Sequence, residues 1–331
     1  MAKTDFMNAL VRCDRPGIAI GTGTSIACLD LMEKTQSFFP DAHLDPEKMA
    51  LLAQTGHTIA GFDVVMPLFS VCHETEALGC KVDWGKPDQM PHCKDFICTD
   101  PQDITIPDDL LRKHSCQVPL KAINILKKRL GHSAAVCGKA FGPWTLGYHL
   151  FGIENFLIDT VTNPSKVKKI IEVLSGVTIA FANAQIEAGA DCVLLGDHAT
   201  ADLCSPAAYK QFLKDTHAML AQKIHAPVIL HICGNTKDRI EMIAQTGVSC
   251  FHWDTKSGSS ASIRQLAGSK MSLMGGISNT LLLTGSPDEI VKQAQEAADA
   301  GIDIIGPECA IPLKTPLPNL KAIADIRKGQ A

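Results

Sequence analysis

Residues 228–236 read Val-Ile-Leu-His-Ile-Cys-Gly-Asn-Thr, an apolar run that ends in a histidine and a cysteine two positions apart. In a strand, residues i and i+2 face the same side. His231 and Cys233 therefore present an imidazole and a thiol together, where the strand gives way to a Gly-Asn turn. Such a pair is either packing or two ligands of a zinc-type site, which in catalytic form has three protein ligands and one open position. A histidine at a strand end is commonly just hydrogen-bonded, and a lone cysteine is commonly a small core residue. Cys309 ends another apolar segment and supplies a third donor, which tips the reading toward a metal.

Other groups lie near the same ends. Asp197 and His198 follow Gly-Ala-Asp-Cys-Val-Leu-Leu-Gly and read as substrate contacts or anchors rather than ligands. Asp254 and Glu308 are candidates for a fourth ligand or for orienting one, and for Asp254 the plainer alternative is a strand-end cap. PHCKDFIC (91–98) groups His92, Cys93 and Cys98, and CHETE (72–76) groups His73, Glu74 and Glu76. Neither has ordinary zinc-ligand spacing, and both read as surface loop chemistry.

The elements that position these residues repeat one plan. QIEAGADCVLLGD (185–197), MIAQTGVSCFHWD (242–254) and AADAGIDIIGPEC (297–309) each run from a helix end through a glycine into a short apolar strand and a polar residue. Ser286, Pro287 and Glu289 open a helix with a cap, a first-turn proline and a capping-box partner. Helices alternating with near-continuously apolar strands imply a parallel sheet. Candidate strands are 17–22, 62–68, 134–140, 191–197, 227–233, 249–254, 271–276 and 302–307. Eight suits a single (β/α)8 TIM-type barrel over residues 1–331, with 1–60 as an N-terminal extension plus first elements and 79–119 as a lid or cap excursion. An open doubly wound sheet is the alternative. Barrel chemistry sits at the C-terminal strand ends, so Asp197, His198, His231, Cys233, Asp254 and Cys309 are expected to converge.

Composition narrows the function classes. The chain has 331 residues and a net charge of −4, with no run of Lys or Arg, which argues against nucleic acid and anionic membrane surfaces. No G-x-G-x-x-G follows a strand and no P-loop occurs, so nucleotide binding has no support. The N-terminus lacks a signal peptide's apolar core, and no apolar run approaches the roughly 18 residues of a membrane span. A cytoplasmic location is expected, with the 13 cysteines as free thiols or ligands.

HICG, GADCVLLGDHATADLCSPAAYKQF (189–212), CGKAFGPWTL (137–146), GFDVVMPLFSVCHETEALGCKVDWG (61–85) and PECAIPLKTPLPNLKAI (307–323) resemble the uroporphyrinogen decarboxylase superfamily. The resemblance covers nearly the whole chain and is closer to the methylcobamide:coenzyme M methyltransferase branch. The decarboxylases' Arg-rich N-terminal stretch corresponds to 15–34, where no arginine follows Arg15. Ser70 stands in place of their F-S-D aspartate and Cys309 in place of a histidine. The methyltransferases' zinc ligands, the His and Cys of H-x-C-G and a Cys before T-P-L, match His231, Cys233 and Cys309. Two departures are Glu308-Cys309-Ala310 for the branch's G-C-G, and Asp254-Thr255 for an acidic pair.

The resemblance implies a Zn2+ enzyme that moves a methyl group from a methyl-Co(III) corrinoid to a zinc-activated thiol such as coenzyme M. Tetrahydrofolate is an alternative acceptor. A uroporphyrinogen decarboxylase-like reaction and a non-catalytic, zinc-bearing barrel that binds a corrinoid protein are the competing classes. No D-x-H-x-x-G motif is present, so the methylcobamide is expected on a separate corrinoid protein that docks near 138–149. The packing alternative for Trp144 and Tyr148 in that stretch is kept alongside. A sulfonate on the acceptor would need a cation, for which Lys139, Arg239 and Lys256 are the candidates. Oligomeric state is not indicated.

Overall fold

The computed structural model describes residues 2–13 and 17–330; Arg15 lies outside them. Eight parallel strands form the core: β1 Ala19–Ile20, β2 Val64–Val65, β3 Ala135–Phe141, β4 Cys192–Gly196, β5 Val228–Ile232, β6 Cys250–Trp253, β7 Ser272–Ile277 and β8 Ile304–Pro307. Their order is β1-β8-β7-β6-β5-β4-β3-β2. The two end strands then meet. The Asp63 N–H donates to the Ile20 carbonyl at 2.8 Å, and the Ile20 N–H donates to the Asp63 carboxylate at 2.8 Å. A side chain thus completes the seam that the two-residue strands β1 and β2 are too short to zip, and Arg327 pairs with the same carboxylate. The open-sheet alternative fails at this seam, and the expected spans 17–22 and 62–68 shrink to two residues each. At β8, a Cβ on Gly306 would stand 1.9 Å from the Gly21 carbonyl oxygen, so only glycine lets the chain pass there.

The helix Ala2–Leu10 closes the N-terminal end of the barrel. Phe6 and Leu10 are fully buried, Lys3 pairs with Asp191 just before β4, and the Ser272 hydroxyl donates to the Ala9 carbonyl. The opposite mouth is left for chemistry. By length and composition, Pro164–Glu187 (24 residues) passes as a membrane span, although no such run is expected from sequence. It packs as a barrel helix, with Val167, Ile170, Leu174, Val177 and Phe181 turned inward. The buried apolar side chains form one continuous core.

In the excursion 79–119, Val82–Asp83 and His92–Cys93 pair as an antiparallel ribbon. The ribbon's continuation ties to the mouth, where Ile97 and Cys98 donate backbone N–H groups to the Leu150 carbonyl. CHETE, expected as surface loop, instead enters a buried helix, His73–Ala77, where the His73 ring meets the Ser115 carbonyl and Glu74 meets the Phe141 N–H of β3.

Candidate metal centre and acceptor cavity

His231 is the fourth residue of β5, and Cys233 follows the strand's last residue. Cys309 follows β8 by two residues. The His231 Nε2 lies 2.8 Å from the Cys233 Sγ and 3.4 Å from the Cys309 Sγ, and the two sulfurs are 2.8 Å apart. Among the described residues, this is the one group of three His, Cys, Asp or Glu donors whose ligand atoms all lie within 4.8 Å of one another.

The ring of His231 is held in one tautomer. Its Nδ1 lies 3.1 Å from the His252 carbonyl, to which it donates, so Nε2 presents a lone pair to the two sulfurs. His252 neighbours it on β6, in register with His231, and its own Nε2 lies 2.7 Å from the Pro307 carbonyl. The histidine pair stacks at 4.5 Å between ring centroids. The facing Cys233 thiol and then the His231 ring hold Cys309 well below an ordinary thiol, while the Cys309 thiolate and burial push Cys233 up. A dication would offset both thiolates at once, so the donor set fits a Cys2His zinc site.

Asp254 and Glu308 are engaged elsewhere. The Asp254 carboxylate accepts from the Gly234 N–H and the Lys256 N–H, both at 2.9 Å. It caps the turn Thr255–Ser257 and grips the residue after Cys233. Glu308 accepts from the Thr255 N–H at 2.9 Å, the Asn279 N–H at 2.7 Å and the Thr255 hydroxyl. Each carboxylate thus braces a loop next to a sulfur.

A cavity of about 260 Å3 opens over the triad, lined also by Lys139, Tyr148, His149, Asp197 and His198. Asp197 builds its wall. It accepts from the Thr145 N–H at 2.8 Å and hydroxyl at 3.0 Å, and its other oxygen faces the His217 Nε2 at 3.1 Å. A Cβ on Gly142 would lie 2.2 Å from the Asp197 carboxyl carbon, so glycine is what lets this carboxylate reach the helix Pro143–Phe151. The His198 backbone N–H donates to the Thr145 hydroxyl at 2.7 Å, and burial lowers the pKa of the His198 ring. Trp144 is wholly buried with its ring 5.1 Å from that of Phe156, whereas Tyr148 reaches the cavity.

Of the three candidate cations, only Lys139 faces this cavity. Arg239 is spent on the Ala199 and Cys204 carbonyls and on Asp238, and Lys256 is exposed. Lys139 donates to the Leu68 carbonyl at 3.2 Å. Burial lowers its pKa, and Glu74 and the two cysteines partly restore it. Glu74 accepts from the Phe141 N–H at 2.8 Å through Oε1, while its buried Oε2 has no hydrogen-bond partner.

Burial lifts the Glu74 carboxyl to about 7 from an ordinary 4.5. Between those values the folded protein holds a proton that the unfolded chain has lost, so Glu74 subtracts stability as pH rises through the window. The shift is worth about 3 kcal/mol. Glu74→Gln keeps the acceptor for Phe141 and removes the titration. Its stability relative to the parent is expected to rise by up to that amount from pH 5 to pH 8, read from denaturant midpoints. A difference that stays flat with pH would contradict the assignment.

Comparison with known proteins places this geometry. The family model for uroporphyrinogen decarboxylase (URO-D) matches residues 3–330. The chain belongs to the URO-D family. Within that family it stands with the methyltransferases. A methylated-thiol–coenzyme M methyltransferase of Methanosarcina mazei is 34% identical over 295 residues, 88% of this chain and 80% of that protein. The methylcobamide:CoM methyltransferase MtaA of Methanosarcina barkeri is 29% identical over 330 residues, 98% of this chain and 97% of that protein. A solved structure described as a methyltransferase from Methanosarcina mazei superposes with a TM-score of 0.97 at 30% identity, covering 99% of this chain and 98% of that one.

Sequence reasoning missed His252, Thr145 and His149 in this URO-D chain. His252 had a signal, since it precedes Asp254 by two on a strand whose end carries a candidate. Thr145 and His149 fall within 138–149, which the sequence marked only as a docking stretch; the helix Pro143–Phe151 brings them into the cavity wall.

Proposed function

We propose that the chain is a zinc-dependent methyltransferase that moves a methyl group from a methylcobamide, carried by a corrinoid protein, to the thiol of coenzyme M. The observation that carries this is the convergence of His231, Cys233 and Cys309 at the floor of a cavity whose wall holds one lysine. Zinc bound by these three side chains would lower the pKa of an acceptor thiol and keep it as thiolate at neutral pH.

The chain's own residues do the rest. His252 fixes the donor nitrogen of His231, and Asp254 and Glu308 brace the loops beside Cys233 and Cys309. Lys139 has three N–H donors and uses one on a carbonyl, so two remain to meet a sulfonate. Tyr148, His149 and His198 form the walls between which the acceptor lies. The acceptor sulfur forms its bond to the methyl carbon as the cobalt–carbon bond breaks, and that electron pair stays with the corrinoid. A compact anionic thiol suits the cavity better than tetrahydrofolate, whose ring system and glutamate tail want a long cleft. A porphyrin octacarboxylate would want several cations, and among the described residues no arginine lines this cavity. The thiol-rich, disulfide-free chain suits the cytoplasm.

The test is zinc content beside methyl transfer from free methylcobalamin to 2-mercaptoethanesulfonate. About one zinc per chain and a methylated product are expected. A metal-free, folded and inactive protein would end the proposal, and a zinc-loaded but inactive one would favour a binding role.

A further inference from the structure

A buried chain of hydrogen bonds runs from the helical segment after β4 to the cavity wall. Tyr209 and His217 lie eight residues apart on that segment. On a regular α-helix such residues stand about 80° apart around the axis. Tyr209–Leu213 is a single wide π turn, whose surplus residue brings the two side chains onto one face. The Tyr209 hydroxyl lies 3.0 Å from the His217 Nδ1, and the Arg239 guanidinium sits 5.7 Å over the Tyr209 ring. The His217 Nε2 lies 3.1 Å from the Asp197 Oδ2. Asp197 Oδ1 accepts from the Thr145 N–H at 2.8 Å and the Thr145 hydroxyl at 3.0 Å, and the Thr145 oxygen accepts from the His198 backbone N–H at 2.7 Å. The His198 ring stands in the cavity wall, its Nδ1 3.4 Å from the Tyr148 hydroxyl.

One assignment of hydrogens satisfies every group. With Asp197 accepting throughout, His217 carries its proton on Nε2. Its Nδ1 is then an acceptor, and the Tyr209 hydroxyl donates to it. Thr145 gives its hydroxyl hydrogen to Asp197 and keeps oxygen lone pairs for the His198 N–H. Tyr209, His217, Asp197 and Thr145 are all buried. Apolar side chains would pack this helix against a strand end at less cost, since buried polar groups are tolerated only when each is paired. Here each is paired, and the chain ends on three groups that line the cavity: Asp197, Thr145 and His198.

We propose that His217 is a positioning residue for methyl transfer, acting through Asp197 and Thr145 to set the His198 ring against the bound acceptor. The inference rests on the methyl-transfer reading and adds a residue that does not line the cavity. Thr145 and Tyr148 share the helix Pro143–Phe151, so Asp197 ties that helix to the end of β4. Without His217 the Asp197 Oδ2 loses its partner, the carboxylate is free to turn, and Thr145 and His198 shift with it. A displacement of about 1 Å away from the reacting atoms costs up to about 100-fold in rate. Lys139 is not part of the chain of bonds, so the KM for the thiol should hold while kcat falls.

The test compares zinc-loaded parent, His217→Leu and His217→Gln with methylcobalamin and varied 2-mercaptoethanesulfonate. Leucine fills the space and bonds to neither neighbour, whereas a glutamine amide donates to Asp197 and accepts from Tyr209. His217→Leu is expected to lower the rate at saturating thiol at least about 10-fold, with zinc content and thiol KM held within about two-fold. His217→Gln should recover most of that rate. In a His198→Ala background the leucine change should cost less than about two-fold further, because its effect passes through His198. The same loss in both backgrounds would mean a packing role and would overturn the proposal. Should His217→Leu misfold, Tyr209→Phe, which loses only the hydroxyl, carries the same comparison. Nitrogen NMR of the histidine rings gives a readout apart from activity. The His198 ring signals should move in Tyr209→Phe while those of the exposed His225 stay in place. A His198 ring that does not respond would also end the proposal. A zinc-loaded parent that transfers no methyl would instead sink the methyl-transfer reading, and the ring signals would then decide alone whether His217 sets His198.

Discussion

Cys309→Ser is expected to strip the protein of zinc and to cut methyl transfer from methylcobalamin by more than about 100-fold. Losing a group that merely orients a ligand already costs up to about that much in affinity or activity, and Cys309 is proposed as a ligand. Its sulfur lies 2.8 Å from the Cys233 Sγ and 3.4 Å from the His231 Nε2, so no other side chain stands in its place. A serine hydroxyl stays protonated at neutral pH and cannot supply the anion that the thiolate supplies. The two carboxylates nearby do not substitute: Asp254 holds the Gly234 and Lys256 amides, and Glu308 holds Thr255 and Asn279. Elemental analysis beside a Cys13→Ser control reads the result, since Cys13 is exposed and follows the N-terminal helix Ala2–Leu10, outside the triad. Full zinc in the Cys309 variant would remove this residue from the centre.

Lys139→Met is expected to raise the KM for 2-mercaptoethanesulfonate by roughly 30-fold, the equivalent of about 2 kcal/mol for hydrogen bonds to a charged group. The KM for 2-mercaptoethanol, which has the same thiol and no anion, should barely move. The separation between the two acceptors is the informative quantity. A general loss of folding or of metal would weaken both acceptors alike, and it would show in zinc content. Methionine keeps the alkyl stem that packs on Phe141, over whose ring the ammonium lies 5.1 Å from the centroid. Glu74 loses its cation in this variant and is expected to stay protonated to higher pH, which limits the cost to stability. Equal losses with both acceptors would show that Lys139 serves the wall and not the sulfonate.

The reading of Asp254 shows how local geometry competes with composition. An aspartate at a strand end beside a His/Cys pair looks like a ligand, yet its oxygens meet the Lys256 amide of the turn that it starts and the Gly234 amide after Cys233. The Lys256 N–H is two residues on, a separation at which aspartate commonly bonds its own backbone. Glu308 differs in having no partner in its own turn: it accepts from Thr255 and Asn279, which follow two other strands. No spacing in the chain announces that contact.

What the sequence by itself determined is the barrel and the meeting of His231, Cys233 and Cys309. The repeated helix–glycine–strand plan sets parallel strands of like direction, and the two-residue period of β5 sends His231 and Cys233 to one side. These are local rules, written within a few residues. What only the tertiary structure decided is what each polar group is free to do. Asp197 became a wall brace when Gly142 let it reach Thr145. Lys139 became the cavity's cation because Arg239 was taken by the Ala199 and Cys204 carbonyls. Thr75 and Cys93, from two stretches that read separately as surface loops, met because the ribbon folds back over the helix His73–Ala77. Each of these depends on which buried partners arrive from distant segments, and in a low-dielectric interior those partners fix charge, orientation and reactivity.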